Sequence, residues 1–319
     1  MLHFAKRIQA TTVATGFLTH AKCAAHEMGA WHPECPARLA AIQDQLIVSG
    51  LMPFLEHIDA PAASLEAVVR AHSPRYVELL RDRAPQRGYL QLDPDTAMCP
   101  STWEASLRAA GAVVEATDRV LDGTLVNAFC AVRPPGHHAR PAAAMGFCLL
   151  NNVAIGALHA LEARGLERVA IVDFDVHHGN GTEEIFSDDE RVLMASFFQH
   201  PFYPYSGTEN PAKNMVNVPL PAGTDGSKVR AVVDEIWLPR LQEFAPQMIF
   251  VSAGFDAHRE DDLGQMALVE ADYAYMTRRL MELADRHCDG HLVASLEGGY
   301  NLSALGRSVV AHLRALARL

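Results

Sequence analysis

The chain has 319 residues, 49% of them hydrophobic and 20% charged, which suits one large α/β domain or two small ones. Its 38 acidic and 27 basic residues give a net charge of −11, which argues against a nucleic-acid interface. No apolar run reaches membrane length and no signal peptide is legible, so no membrane-spanning helix is expected. Six cysteines without a Cys-x-x-Cys pair disfavour a cysteine-based zinc or redox motif. Their apolar surroundings suggest a reducing compartment, hence a cytoplasmic protein.

In chain order, Thr12 to Leu18 reads as the first strand, and residues before about 14 as a flexible extension. Pro36 to Val48 reads as a helix that opens on proline and stops at Gly50. Ser64 to Ala71 and Pro74 to Arg83 read as short helices, and Ala84 to Pro100 as loop. Ser101-Thr102-Trp103-Glu104 fits a capping box opening an Ala-rich helix to about Leu121. Strands then follow near 126–132, 168–174, 191–197, 247–253 and 291–296, alternating with helices near 151–163, 226–243, 270–287 and 302–318. The alternation predicts an α/β fold in one domain over 1–319, with a mostly parallel sheet and helices on both faces.

Four of these strands end in residues capable of chemistry. After Arg168 to Val172 comes Asp173-Phe174-Asp175-Val176-His177-His178-Gly179. On an extended backbone Asp175 and His177 point to one side, as two ligands of a metal site would. An isolated Asp-x-His would be read as a helix cap. Ala128 to Val132 leads into Arg133-Pro134-Pro135-Gly136-His137-His138, whose prolines and glycine force an irregular turn. Two adjacent histidines there cannot both hide in a core face. Met248 to Gly254 ends at Phe255-Asp256, and His291 to Leu296 ends at Glu297-Gly298-Gly299-Tyr300. Any one of these is ordinary strand-end polarity; four together mark a site.

Taken with His32-Pro33-Glu34-Cys35-Pro36-Ala37-Arg38 and Gly146 to Asn152, these motifs resemble, in order, the zinc-dependent histone deacetylase family of the arginase–deacetylase fold. The resemblance runs from about residue 14 to nearly the end. It implies zinc ligands Asp175, His177 and Asp256, one ion per chain. It implies His138 as general base and then acid, and His137 as electrostatic partner. Asp173 would accept from His137 and Asn180 from His138, with Tyr300 donating to the oxyanion. Asparagine at 180 resembles the class II branch and its bacterial amidohydrolase relatives. Phe147 matches one wall of an acyl-lysine tunnel and Phe202-Tyr203-Pro204 the other; the competing reading of Phe147 and Tyr203 is as ordinary core aromatics. Leu263 matches a position that is glutamate in a polyamine-selective branch. Asp95 is placed to bind the substrate backbone at the rim, or is a solvated turn residue. The family often carries potassium near Asp173, Asp175, His177 and Ser196.

The implied substrate is an N-acetylated amine, either acetyl-lysine in a peptide or protein or an acetylpolyamine; a homo-oligomer is compatible. Two other readings stand beside it. A binuclear manganese ureohydrolase would want carboxylates where Gly179 and His258 stand. A non-catalytic acyl-lysine binding module would not need the full set of ligands, histidines and Tyr300.

Overall fold

The computed structural model describes residues 14–319; Thr12, Val13 and the expected extension lie outside them. Ten strands follow in chain order. They are β1 Ala14–Thr19, β2 Leu55–Asp59, β3 Leu90–Gln91, β4 Ala97–Met98 and β5 Leu125–Cys130, then β6 Val169–Asp173, β7 Val192–Gln199, β8 Met215–Leu220, β9 Met248–Ala253 and β10 Leu292–Leu296. Eight of them form one sheet in the order β2-β1-β5-β10-β9-β6-β7-β8, every pairing parallel. The short β3–β4 ribbon is antiparallel and lies inside the stretch expected as loop.

The central strands are continuous apolar runs because both faces of the sheet are covered. Their side chains divide with a period of two. Ala170, Val172, Ile249, Val251, Leu292 and Ala294 enter one core with the helices Ala37–Val48, Glu270–His287 and Leu302–Leu316. Val169, Ile171, Met248, Phe250 and Val293 enter the other, with Thr102–Leu121 and the helix beginning at Asn152.

Three expectations are corrected. The edge strands β2 and β8 were not read from the sequence. β2 is half polar along its length, and β8 contains Pro219, which only an edge tolerates. The helices expected over 151–163 and 226–243 each contain a wide π turn, at His159–Ala163 and Val233–Trp237. In the second, Pro239 stands two residues beyond, and the wide turn relieves the clash of its ring with the preceding turn. The capping box does not form. Ser101 is helical and makes no cap bond, the Thr102 hydroxyl accepts from the Cys99 N–H at 2.8 Å, and Glu104 pairs with Lys22 at 2.9 Å. Tertiary partners outcompete the local motif.

Candidate active site and metal centre

β5, β10, β9 and β6 are neighbours in the middle of the sheet. Their carboxyl ends therefore bring the four polar segments to one place, where open α/β sheets hold ligands. Two glycines permit the convergence. A Cβ at Gly254 would lie 2.0 Å from Asp175 Oδ2, and one at Gly298 1.9 Å from Asp256 Oδ2.

β6 stops at Asp173, so Asp175 and His177 meet through a bend rather than through strand alternation. The bend is held by side-chain turns: the Asp175 N–H donates to Asp173 Oδ1 at 3.0 Å, and the His177 N–H to Asp175 Oδ1 at 2.9 Å. The donor atoms of Asp175, His177 and Asp256 lie within 4.8 Å of one another. His177 Nδ1 is 2.9 Å from Asp175 Oδ1 and 3.2 Å from Asp256 Oδ2. Asp256 Oδ2 is buried without a hydrogen-bond partner. Burial, then the Asp175 charge, pushes the Asp256 carboxyl up to about 7. Burial opposes protonation of His177, yet the two carboxylates raise it to about 10. The cluster calls for positive charge, and two carboxylates with one imidazole nitrogen suit a divalent ion such as zinc. Among the described residues this is the one group of three or more such donors placed to share an ion. A Cβ at Gly179 would lie 2.4 Å from Asp173 Oδ2, which leaves no room for a carboxylate side chain there as placed.

Both histidines of the tandem pair are buried, not in a core face but beside the metal-competent cluster, His137 Nε2 lying 3.8 Å from Asp175 Oδ2. Their rings are 4.0 Å apart, yet their partners make them different. His137 Nδ1 donates to Asp173 Oδ2 at 2.9 Å, and although burial disfavours its charge, Asp173 and Asp175 lift it to about 10. His138 Nδ1 donates to Asn180 Oδ1 at 2.7 Å; burial and the charges of His137 and His177 hold it well below the usual range. The Glu297 carboxylate accepts from the N–H groups of Gly136 and His137 at 2.6 and 3.1 Å and fixes their turn.

A cavity of about 250 Å³ meets this centre, lined by Phe147, Phe202, Tyr203, Leu263 and Tyr300 together with His138, His177, Asp95 and Asp262. Phe202 stacks on His177 at 5.5 Å, and Tyr203 meets His138 edge-on at 5.4 Å. Phe147 holds φ +68°, a conformation unusual outside glycine, and its N–H donates to Thr96 Oγ1 at 2.9 Å. Asp95 Oδ1 accepts from the Gly146 N–H at 3.1 Å, so one carboxylate oxygen braces this turn.

Tyr300 stands between Phe147, edge-on at 5.8 Å, and the Arg38 guanidinium, 4.9 Å over its ring. Burial keeps its phenol protonated, a hydrogen-bond donor. Asp261 Oδ2 accepts from the N–H groups of Tyr300 and Asn301 at 2.6 and 2.9 Å. Arg38 donates to the Gly299 carbonyl at 2.7 Å and to Glu34 at 3.0 Å, and Arg133 binds the same Glu34 at 2.7 Å. The sequence carries Phe202 beside Tyr203 as part of one wall and Glu297 in the motif that ends at Tyr300, but the sequence reading passed over Asp262 and the braces Asp261, Glu34 and Arg38. For the last two the signal was present, since both lie within the His32 to Arg38 motif.

The structure is thus an α/β protein whose parallel sheet gathers an Asp-His-Asp cluster and paired histidines at one end. Comparison with known proteins gives its family. A histone deacetylase domain model matches residues 32–316. A probable deacetylase of Archaeoglobus fulgidus is 42% identical over 298 residues, covering 91% of this chain and 82% of that one. A histone deacetylase-like amidohydrolase of Pseudomonas aeruginosa is 39% identical, covering 85% of this chain and 73% of that one. The solved HDA15 HD domain superposes with a TM-score of 0.90 at 35% identity, covering 96% of this chain and 90% of that one. The chain belongs to the histone deacetylase family.

Proposed function

We propose that the protein is a zinc-dependent deacetylase that hydrolyses linear N-acetyl amides, on acetyl-lysine in peptides or proteins or on acetylpolyamines. The observation that carries this reading is the aromatic-walled cavity whose lining includes His138, His177 and Tyr300. Asp175, His177 and Asp256 would hold zinc, which when bound supplies an acidified water and polarisation of the amide carbonyl. The chain's own groups do the rest. Phe147 and Tyr203 line the slot for an extended acyl-amine chain and shield it from water. His138, the tandem histidine that lines the cavity, takes the proton of the attacking water and returns it to the leaving amine. His137, kept charged by Asp173, offsets the negative charge that develops. Tyr300 donates its hydroxyl hydrogen to the carbonyl oxygen as it becomes an oxyanion.

The test is acetate release from acetyl-lysine peptides, acetylputrescine and acetylspermidine, compared by kcat/KM with and without a chelator. Release that stops with chelation and returns with zinc supports the reading. Binding of acetylated peptide with no acetate released from any of the three would overturn it.

A further inference from the structure

Phe202 and Tyr203 stand on the long loop between Gln199 of β7 and Met215 of β8, which has no helix or strand of its own. Loops of that length hold a fixed shape only when pinned from outside. One closed circuit of hydrogen bonds pins this one. The Ser206 hydroxyl donates to His178 Nδ1 at 2.8 Å, and His178 Nε2 bonds Glu183 Oε2 at 2.7 Å. The same Glu183 oxygen accepts from Asn217 Nδ2 at 2.7 Å. Asn217 Nδ2 also donates to the Gly207 carbonyl at 2.9 Å, which returns the circuit to the loop.

The circuit is also close-packed. His178 is 2% exposed, and its ring lies 4.7 Å from that of Phe198. Gly207 has φ +90°, and a Cβ there would meet the His178 ring at 2.8 Å, so the loop backbone rests on the imidazole. Ser206, Glu183 and Asn217 do not line the substrate cavity. They act on it through the wall residues a few positions away, Phe202 against His177 and Tyr203 against His138. Glu183 and Asn180 share the helix Asn180–Phe186, and Asn180 holds His138. One short element therefore fixes both the acid–base histidine and the wall beside it.

We infer that Ser206, His178 and Glu183 are positioning residues that set the width of the substrate cavity by fixing the Phe202–Tyr203 wall. The inference rests on the deacetylase reading for its substrate. The experiment is Ser206→Ala in the zinc-loaded protein, with Ser206→Thr as the variant that keeps the hydroxyl. In Ser206→Ala, KM for an acetyl-lysine peptide rises about three- to tenfold, the effect of one lost hydrogen bond on a binding equilibrium. kcat and bound zinc stay at the wild-type level, and Ser206→Thr recovers most of the KM. Amide hydrogen exchange over residues 200–208 accelerates in Ser206→Ala and does not change around Phe147. An unchanged KM, or a fall in kcat with KM unmoved, overturns the inference. If the wild type released no acetate, the deacetylase reading would fall, whereas the exchange measurement would still decide the anchor. Faster exchange confined to 200–208 supports it and unchanged exchange overturns it.

Discussion

The two walls of the cavity are built differently. On one side, Tyr300 rests on charge buried out of reach of water: Glu34 and Arg38 are fully enclosed, and Asp261 ties down two successive backbone N–H groups. On the other, Tyr203 stands on a half-exposed loop that reaches the buried His178–Glu183 pair only through the neutral Ser206 hydroxyl and, by way of Asn217, the Gly207 carbonyl. The two bonds made by the loop itself are between neutral groups, whereas those under Tyr300 are charge-assisted, and charge-assisted bonds in a low-dielectric interior are the stronger. By this difference the wall carrying a reacting group should be the more rigid and the wall that only touches substrate the softer. Damage on the Tyr300 side should therefore appear in kcat or in stability, and damage on the Tyr203 side in KM.

The sharpest case concerns the histidines between the walls. His138→Ala is expected to lose about 10²- to 10⁴-fold in kcat, the usual value of a general acid–base group. His137→Ala should lose less, with zinc retained in both variants. Stopped-flow or steady-state acetate release checks this, and equal near-wild-type turnover in both would break the assignment.

Next comes the buried brace. Glu34→Gln leaves the guanidinium groups of Arg38 and Arg133 enclosed without their common anion. Removing one partner of a buried ion pair costs about 3–5 kcal/mol, to be read by denaturant unfolding. The same residue sets an acid limit. Burial alone would raise the Glu34 carboxyl, but Arg133, His26 and Arg38 hold it well below its ordinary value. A depressed carboxyl contributes stability above its unfolded value and loses it as pH falls through the folded one. The wild type should therefore keep this contribution at neutral pH and surrender it only in acid, and Glu34→Gln should show no such step.

A smaller effect is expected at the tip of the same wall. Tyr300→Phe should cut kcat by about 10²- to 10³-fold with KM nearly unchanged, since the hydroxyl acts only on the developing oxyanion. If Tyr300 were merely a packed aromatic, kcat would hold and thermal stability would shift instead. Measuring both on this variant separates the two.

The residues that face the centre were legible because each sits just past a continuous apolar strand, and such strands are the strongest signal a buried parallel sheet leaves in a sequence. β2 and β8 were not, since edge strands carry polar residues and proline and lose that signal. The braces were hidden for another reason: their partners are remote. Arg38 meets Gly299 across 261 positions, and Arg133 meets Glu34 across 99. No local pattern encodes such a pairing. Phe202 was legible with Tyr203 as part of one wall, but on an irregular loop only the bends decide which aromatic meets which histidine.

The central claim is that Asp175, His177 and Asp256 hold one zinc ion on which acetate release depends. The most direct measurement strips the protein with chelator and titrates zinc back while following acetate release and bound metal together. Activity should rise linearly and break at about one equivalent per chain, and Asp256→Ala should show neither the break nor the bound ion. Full activity in the stripped protein, or a break at two equivalents of manganese, would contradict the account.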